Sequence, residues 1–143
     1  MDGKKLAIDE LNNSEYKLIV VKEDEIMYKS KEESVSSIVH LLDNNPKLLK
    51  NSIVADKVIG RAVAMVCDYA SVEFCYGSIM SSGAVKVFEK SNIPYKTKKE
   101  VKQIRNIDDT DLCPIEKLIL EVDNSRKGIE KIKEFLNNKK VGD

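Results

Sequence analysis

Apolar residues follow two different spacings along this chain, one typical of helices and one typical of short strands. In 34–43, 57–70 and 125–136 they recur every three or four positions, which predicts amphipathic helices. Runs rich in β-branched and aromatic residues stand between such segments and favour strands. The predicted helices are 4–12, 34–43, 57–70, 82–92, 114–122 and 125–136, and the predicted strands are 16–22, 26–30, 53–55, 72–77 and 93–96.

The order of these elements predicts the class of fold. The first two strands are joined by Glu23-Asp24-Glu25, which indicates an antiparallel hairpin. Later strands alternate with helices, a pattern typical of parallel strands joined by crossovers. We therefore expect an α/β fold, a three-layer α/β/α sandwich with a mixed sheet, formed by one domain of residues 1–143. Residues 98–112 are expected to be irregular.

The segment 52–70 is predicted to lie at the centre of this domain. Ile53, Val54 and Ala55 form a short buried strand, and Asp56 is placed to cap a helix that begins at Lys57. Lys57 and Arg61 would then put two cations near the positive end of a helix, which is unfavourable unless an anion is close. One interpretation is that a ligand supplies this anion, and the other is that Asp56 itself neutralises the two cations.

Two further segments carry candidate chemistry. Ser78 and Ser81 stand where the fourth strand passes into its helix, and either Ser81 or Ser82 is expected to cap that helix. Cys113 precedes a strong helix start at Pro114, where the positive end of a helix lowers the pKa of a thiol. Cys113 is thus a candidate nucleophile, and the alternative is a purely structural capping residue, with Glu116 bonding back to the backbone of its own helix.

Composition excludes several classes of partner. Lys plus Arg and Asp plus Glu number 24 each, so no broad basic surface favours duplex nucleic acid or an anionic membrane. The apolar runs are too short to cross a bilayer, and the first residues lack the apolar core of a signal peptide. A cytoplasmic location is therefore expected, with the three cysteines as reduced thiols.

Two motifs resemble those of a known protein family. Residues 55–62 contain the pattern A-D-K-x-x-G, and residues 106–116 contain N-x-D-x-T-x-x-C-P-x-E. These segments resemble a family of small, functionally uncharacterised prokaryotic proteins with a cytidine-deaminase-like fold. The resemblance implies a ligand site that includes Asn106, Asp108 and Thr110. The second motif departs from the family pattern at Ile107 and Asp111, where Arg and Gly are usual.

The deaminase-like fold allows a test for zinc chemistry. Zinc deaminases place His or Cys ligands at the starts of two neighbouring helices, with a Glu beside the first. The corresponding positions here are Ala55-Asp56-Lys57 and Ser78-Ile79-Met80-Ser81, which offer neither thiolate nor imidazole. No zinc site, no other metal site and no cofactor are expected.

The sequence is compatible with two classes of biochemical function and with a third, purely structural role. The first is a protein that binds a nucleotide-like or other phosphate-bearing small molecule near Asp56, Lys57, Arg61, Ser78 and Ser81. The second is a metal-independent enzyme that uses Cys113 with Asp56 and Lys57. The absence of a recognisable nucleophile and base pair favours the first. The third is an assembly module that forms a homo-oligomer.

Overall fold

The computed structural model describes residues 3–32, 34–104 and 114–141, with side chains as far as residue 138. This part of the chain forms seven helices and five strands in an α/β fold. The helices are α1 (Gly3–Asn12), α2 (Ser34–Asn44), α3 (Pro46–Leu49), α4 (Arg61–Ala70), α5 (Ser82–Ser91), α6 (Pro114–Leu118) and α7 (Ser125–Val141). The strands are β1 (Leu18–Lys22), β2 (Glu25–Ser30), β3 (Ile53–Ile59), β4 (Phe74–Ser81) and β5 (Tyr95–Val101).

The five strands form one mixed sheet in the order β2-β1-β3-β4-β5. Strand β1 is antiparallel to both of its neighbours, whereas β3, β4 and β5 are parallel. The prediction of a mixed sheet with parallel later strands is confirmed. The turn between β1 and β2 consists of Glu23 and Asp24, with φ angles of 53° and 62°, values that match the twist of a hairpin even without glycine.

Helices cover both faces of the sheet. On one face, α1 packs against a cluster formed by alternate residues of the strands, among them Ile53, Ala55 and Tyr76. On the other face, the intervening residues, such as Val54 and Cys75, pack with the helices that follow β2. No described helix is both long and apolar enough to cross a membrane.

Two of the three cysteines belong to the larger core. Cys67 on α4 and Cys75 on β4 are fully buried free thiols. Burial raises the pKa of the Cys75 thiol, and the neighbouring Cys67 raises it further. These two residues therefore agree with the expectation of reduced thiols in apolar surroundings.

The predicted start of the central helix is wrong. Strand β3 continues through Ile59, and helix α4 begins at Arg61 with Gly60 as its N-cap. Asp56 and Val58 pair with Gly77 and Ile79 of β4, so the sheet hydrogen bonds extend well past Ala55. Apolar residues such as Val58 and Ile59 suit either element, and pairing with neighbouring strands decides between them. Asp56 is therefore not a helix cap, and Lys57 does not lie in a first helical turn.

Several other helices and strands begin or end at residues that differ from the prediction. Strands β4 and β5 are longer than predicted because they continue in parallel register, with Ile79 opposite Lys99. Residues 98–101 are therefore strand and not irregular. Helix α6 ends at Leu118 and not at Val122, helix α7 continues to Val141, and the short helix α3 was not predicted.

Lys57 joins the central strand to helix α1. Because successive side chains of a strand point to opposite faces, Lys57 lies on the α1 side of the sheet. Its amine donates hydrogen bonds to the carbonyl oxygens of Leu11 at 2.8 Å and Ser14 at 3.2 Å. These carbonyls lie at and just beyond the C-terminal end of α1, the end of a helix that favours a cation. The amine is therefore a structural partner of α1.

We predict that Lys57→Met lowers the free energy of unfolding by about 1–3 kcal/mol, because two carbonyls lose a charged donor. If Lys57 stood at the positive end of a helix, as expected from the sequence, losing its charge would not lower stability, so the measurement decides between a structural and a ligand-binding amine. Urea unfolding followed by circular dichroism measures the change. The matched control, Lys50→Met at an exposed position, should stay close to wild type. Equal stability of both variants would contradict the structural role.

Candidate functional site

Asp56 is a fully buried carboxylate in the central strand. It points to the face opposite Lys57, where α2 and α4 pack. Its Oδ1 accepts a hydrogen bond from the Ser34 hydroxyl at 2.7 Å and another from the Val58 N–H at 3.2 Å. Its Oδ2 is buried and has no hydrogen-bond partner among the described residues. A buried carboxylate oxygen without a partner is costly, and a functional role is one explanation for keeping such a group.

This carboxylate borders a cavity of about 450 Å³. The volume falls within the usual range of small-molecule sites. The charged and polar lining residues are Glu15, Lys17, Ser34, Asp56, Lys57 and Glu116, and the other lining residues are Val35, Val58, Gly60, Val63, Ile104 and Ile115. The cavity thus combines apolar walls with a small number of polar groups, the composition typical of a ligand site.

Burial changes the acid–base behaviour of Asp56. Removal from water raises its pKa from the ordinary value of 3.8 to about 7. The hydrogen bonds from Ser34 and the backbone, and more weakly the charge of Lys17, act in the opposite direction but do not offset the burial. Asp56 therefore exchanges its proton near neutral pH, where a carboxyl group is able to serve as an acid or a base.

Glu116 of α6 also lines the cavity. Its Oε1 accepts the N–H of Arg61 at 2.7 Å, and its Oε2 accepts the N–H of Ala62 at 2.9 Å. Glu116 thereby caps α4, whose N-cap residue, Gly60, has no side chain. A Cβ atom at Gly60 would lie only 2.6 Å from Oε1 of Glu116, so glycine is what lets the carboxylate approach.

The cap corrects one expectation from the sequence. Glu116 bonds to the start of α4, so the anion at this helix start comes from the protein itself and is neither Asp56 nor a ligand. Burial raises the pKa of Glu116, while the two N–H groups and Arg61 act against this change. The guanidinium of Arg61 donates to the carbonyl oxygen of Val122 and lies 3.8 Å from Asp123. Arg61 is thus engaged with the segment between α6 and α7.

Two other predicted site residues, Ser78 and Ser81, do not line this cavity. Ser81 Oγ accepts the N–H of Ala84 at 3.1 Å, which confirms it as the cap of α5. Ser78 is half-buried on β4, and neither serine lines the cavity beside Asp56. The structure therefore brings Asp56 together with Ser34 and Glu116, and not with the two serines of β4.

Four predicted residues lie outside the described part of the chain. They are Asn106, Asp108, Thr110 and Cys113. Their proposed roles stay predictions. Within 3–32, 34–104 and 114–141, no three His, Cys, Asp or Glu side chains are grouped so that they could hold a metal ion.

Sequence reasoning missed Ser34 and the contact of Glu116 with α4. Ser34 was recognised only as the start of α2, yet its hydroxyl holds Asp56. The signal for Glu116 was the adjacent Gly60, which stands just before a helix and offers no cap of its own. A glycine at that position indicates that a cap arrives from another element.

Fold and site together define an α/β protein with a mixed five-stranded sheet and a buried carboxylate beside a cavity. Residues 6–136 match the family described as "TM1506: Domain of unknown function (DUF1893)", and the chain belongs to that family. It is similar to the DUF1893 family protein (TM1506) from Thermotoga maritima, whose crystal structure superposes with a TM-score of 0.84. The two sequences are 21% identical, and the match covers 91% of this chain and 87% of that chain. No curated protein matches the chain.

We predict that Gly60→Ala destabilises the protein only while Glu116 is present. The added Cβ displaces the carboxylate, and the loss of its bonds to two N–H groups should cost about 1.5–3 kcal/mol. In a Glu116→Ala background the same change should be neutral or slightly stabilising. Chemical unfolding of the four proteins in this double-mutant cycle gives the answer. Gly83→Ala, where a Cβ meets only ordinary contacts, is the control. An equal cost in both backgrounds would rule out the proposed collision.

A second prediction concerns the dependence of stability on pH. The pKa of Asp56 is raised on folding, so between about pH 4 and pH 7 the folded state binds more protons than the unfolded state. The free energy of unfolding therefore falls as the pH rises through this window, by up to about 4 kcal/mol from this one group.

The matched variant is Asp56→Asn, which keeps the shape and an oxygen acceptor but does not titrate. We expect it to resemble wild type near about pH 4 and to be more stable near about pH 8. Asp9→Asn, an exposed position on α1, should keep the wild-type slope. Unfolding curves across the window measure all three proteins, and parallel wild-type and Asp56→Asn profiles would show that Asp56 does not control the slope.

Proposed function

We propose that this protein binds a small molecule, a nucleotide-like or other phosphate-bearing metabolite, in the cavity beside Asp56. The scaffold in this proposal is a three-layer α/β/α sandwich similar to cytidine deaminases, used without zinc. The observation that carries the proposal is the fully buried Oδ2 of Asp56, which has no partner within the described part of the protein. A ligand that donates a hydrogen bond to this oxygen would supply the missing partner.

Energetics support a functional reason for Asp56. Its raised pKa means that the ionised carboxylate destabilises the folded protein at neutral pH. An apolar residue or an asparagine would avoid this cost at a position facing the packed layer of α2 and α4. Residues that lower stability without a structural benefit are concentrated at binding and catalytic sites.

The position of the cavity in the fold also supports binding. Helix α4 starts directly after β3 and α5 starts after β4, so the carboxyl ends of two parallel neighbours lie at the same edge. Open α/β sheets commonly bind ligands at this edge. Asp56 is the middle residue of β3, Val58 lies near its carboxyl end, and Gly60 follows it, so the lining extends from the middle of the strand to that edge.

A second candidate function is a metal-independent enzyme. The specific observation in its favour is the pKa of Asp56, about 7, which suits general acid–base chemistry at neutral pH. In this alternative Cys113 would be the nucleophile, a role that stays a prediction from the sequence. Lys57 does not join Asp56 in such chemistry, because its amine is bonded to carbonyls on the opposite face of the sheet. Cytoplasmic location and homo-oligomer formation likewise stay predictions.

A thermal-shift screen with nucleosides, nucleotides and dinucleotides tests the proposed binding. A ligand at about 100 times its dissociation constant should stabilise the folded protein by about 2.7 kcal/mol. The shift should be strongly reduced in Asp56→Asn and retained in Asp9→Asn. If no compound shifts the melting temperature, or if Asp56→Asn responds as wild type does, the proposal is wrong. Chromatography of the same mixtures after incubation detects turnover, which would favour the enzyme instead.

A further inference from the structure

We propose that the cavity holds its ligand by the N–H groups of a nucleobase-like heterocycle and leaves any phosphate outside. This inference rests on the proposed function and specifies which end of the ligand is recognised. It follows from the inventory of hydrogen-bonding groups around the cavity and from the partners that those groups already have.

Among the described lining residues, the hydrogen-bonding group left for a ligand inside the cavity is an acceptor. Glu116 already accepts two N–H groups and Glu15 is exposed beside Lys31, whereas Oδ2 of Asp56 is buried without a partner among the described residues. The Ser34 hydroxyl is already committed as a donor to Oδ1 of the same carboxylate. A ligand that presents N–H donors would therefore complement the cavity, whereas a phosphate, which presents acceptors, would not.

Among the described residues that line the cavity or begin α4, the backbone N–H groups and the amine of Lys57, which could bind phosphate, are engaged elsewhere. The N–H groups of Arg61 and Ala62 at the start of α4 point to Glu116, at 2.7 and 2.9 Å. The amine of Lys57 is bonded to α1. Among the described lining residues, this leaves Lys17 as the remaining cation, and it is exposed to solvent. One exposed lysine does not make a buried phosphate site.

The apolar lining fits the flat faces of a heterocycle. Val35, Val58, Val63 and Ile115 contribute branched side chains, and Val63 and Ile115 are almost completely buried. Such walls favour the desolvation of a ring, while the buried oxygen of Asp56 selects the edge that carries the donors. A site that hydrogen-bonds an N–H group discriminates strongly against an analogue that lacks it.

Calorimetric titration with matched ligands tests the inference. The probes are the four common ribonucleosides, their 5′-monophosphates, and derivatives with methylated N–H groups: 1-methylguanosine, 3-methyluridine, N4,N4-dimethylcytidine and N6,N6-dimethyladenosine. For the base that binds best, we expect nucleoside and monophosphate affinities to agree within about threefold, and the methylated derivative to bind about ten- to a hundredfold more weakly. Asp56→Asn should weaken both unmodified ligands to a similar degree.

The variant Lys17→Met tests whether the protein contacts the phosphate of the ligand in addition to its base. We expect it to change the affinities of nucleoside and monophosphate equally and by less than about threefold. The inference is overturned if the monophosphate binds more than about tenfold more tightly than its nucleoside, if inorganic phosphate competes, or if Lys17→Met selectively weakens the monophosphate. Any of those outcomes would overturn this inference but would still agree with the proposed binding of a small molecule. Absence of binding by every probe overturns the proposed function as well as this inference.

Discussion

The central strand β3 carries two neighbouring opposite charges, Asp56 and Lys57, in a sheet that is covered by helices on both faces. Because side chains alternate along a strand, the two charges are directed to opposite layers and do not neutralise each other. Each needs a polar partner within its own layer. The amine of Lys57 finds the last carbonyls of α1, whereas the carboxylate of Asp56 is only half satisfied by Ser34 and Val58.

In this fold, two helix ends are stabilised by charged side chains that are distant from them in sequence. Lys57 places a cation at the C-terminal end of α1, and Glu116 places an anion at the N-terminal end of α4, both in the favourable sense for the helix dipole. Gly60 makes the second contact possible by leaving room for the carboxylate. This contact also brings Glu116 to the cavity that Asp56 borders, which makes the lining acidic.

These contacts give the positive charges near the cavity a structural role. Lys57 and Arg61 are close in sequence to a helix start, yet their side chains are engaged with α1 and with the segment after α6. Among the described residues that line the cavity, Asp56 has the buried side-chain oxygen that lacks a hydrogen-bond partner. Membership of a family of unknown function and structural similarity at 21% identity describe the fold, whereas this oxygen points to a function.

The sequence by itself determined the elements whose signals are local. The hairpin at Glu23, helix α2 and the cap at Ser81 follow from spacing and turn chemistry within a few residues. Tertiary structure decided the rest: sheet pairing extended β3 to Ile59, where Val58 and Ile59 suit a helix equally well. Asp56 meets Ser34 22 positions away, and the N–H of Arg61 meets Glu116 55 positions away. No local pattern encodes such partners, because folding, not sequence spacing, brings them together.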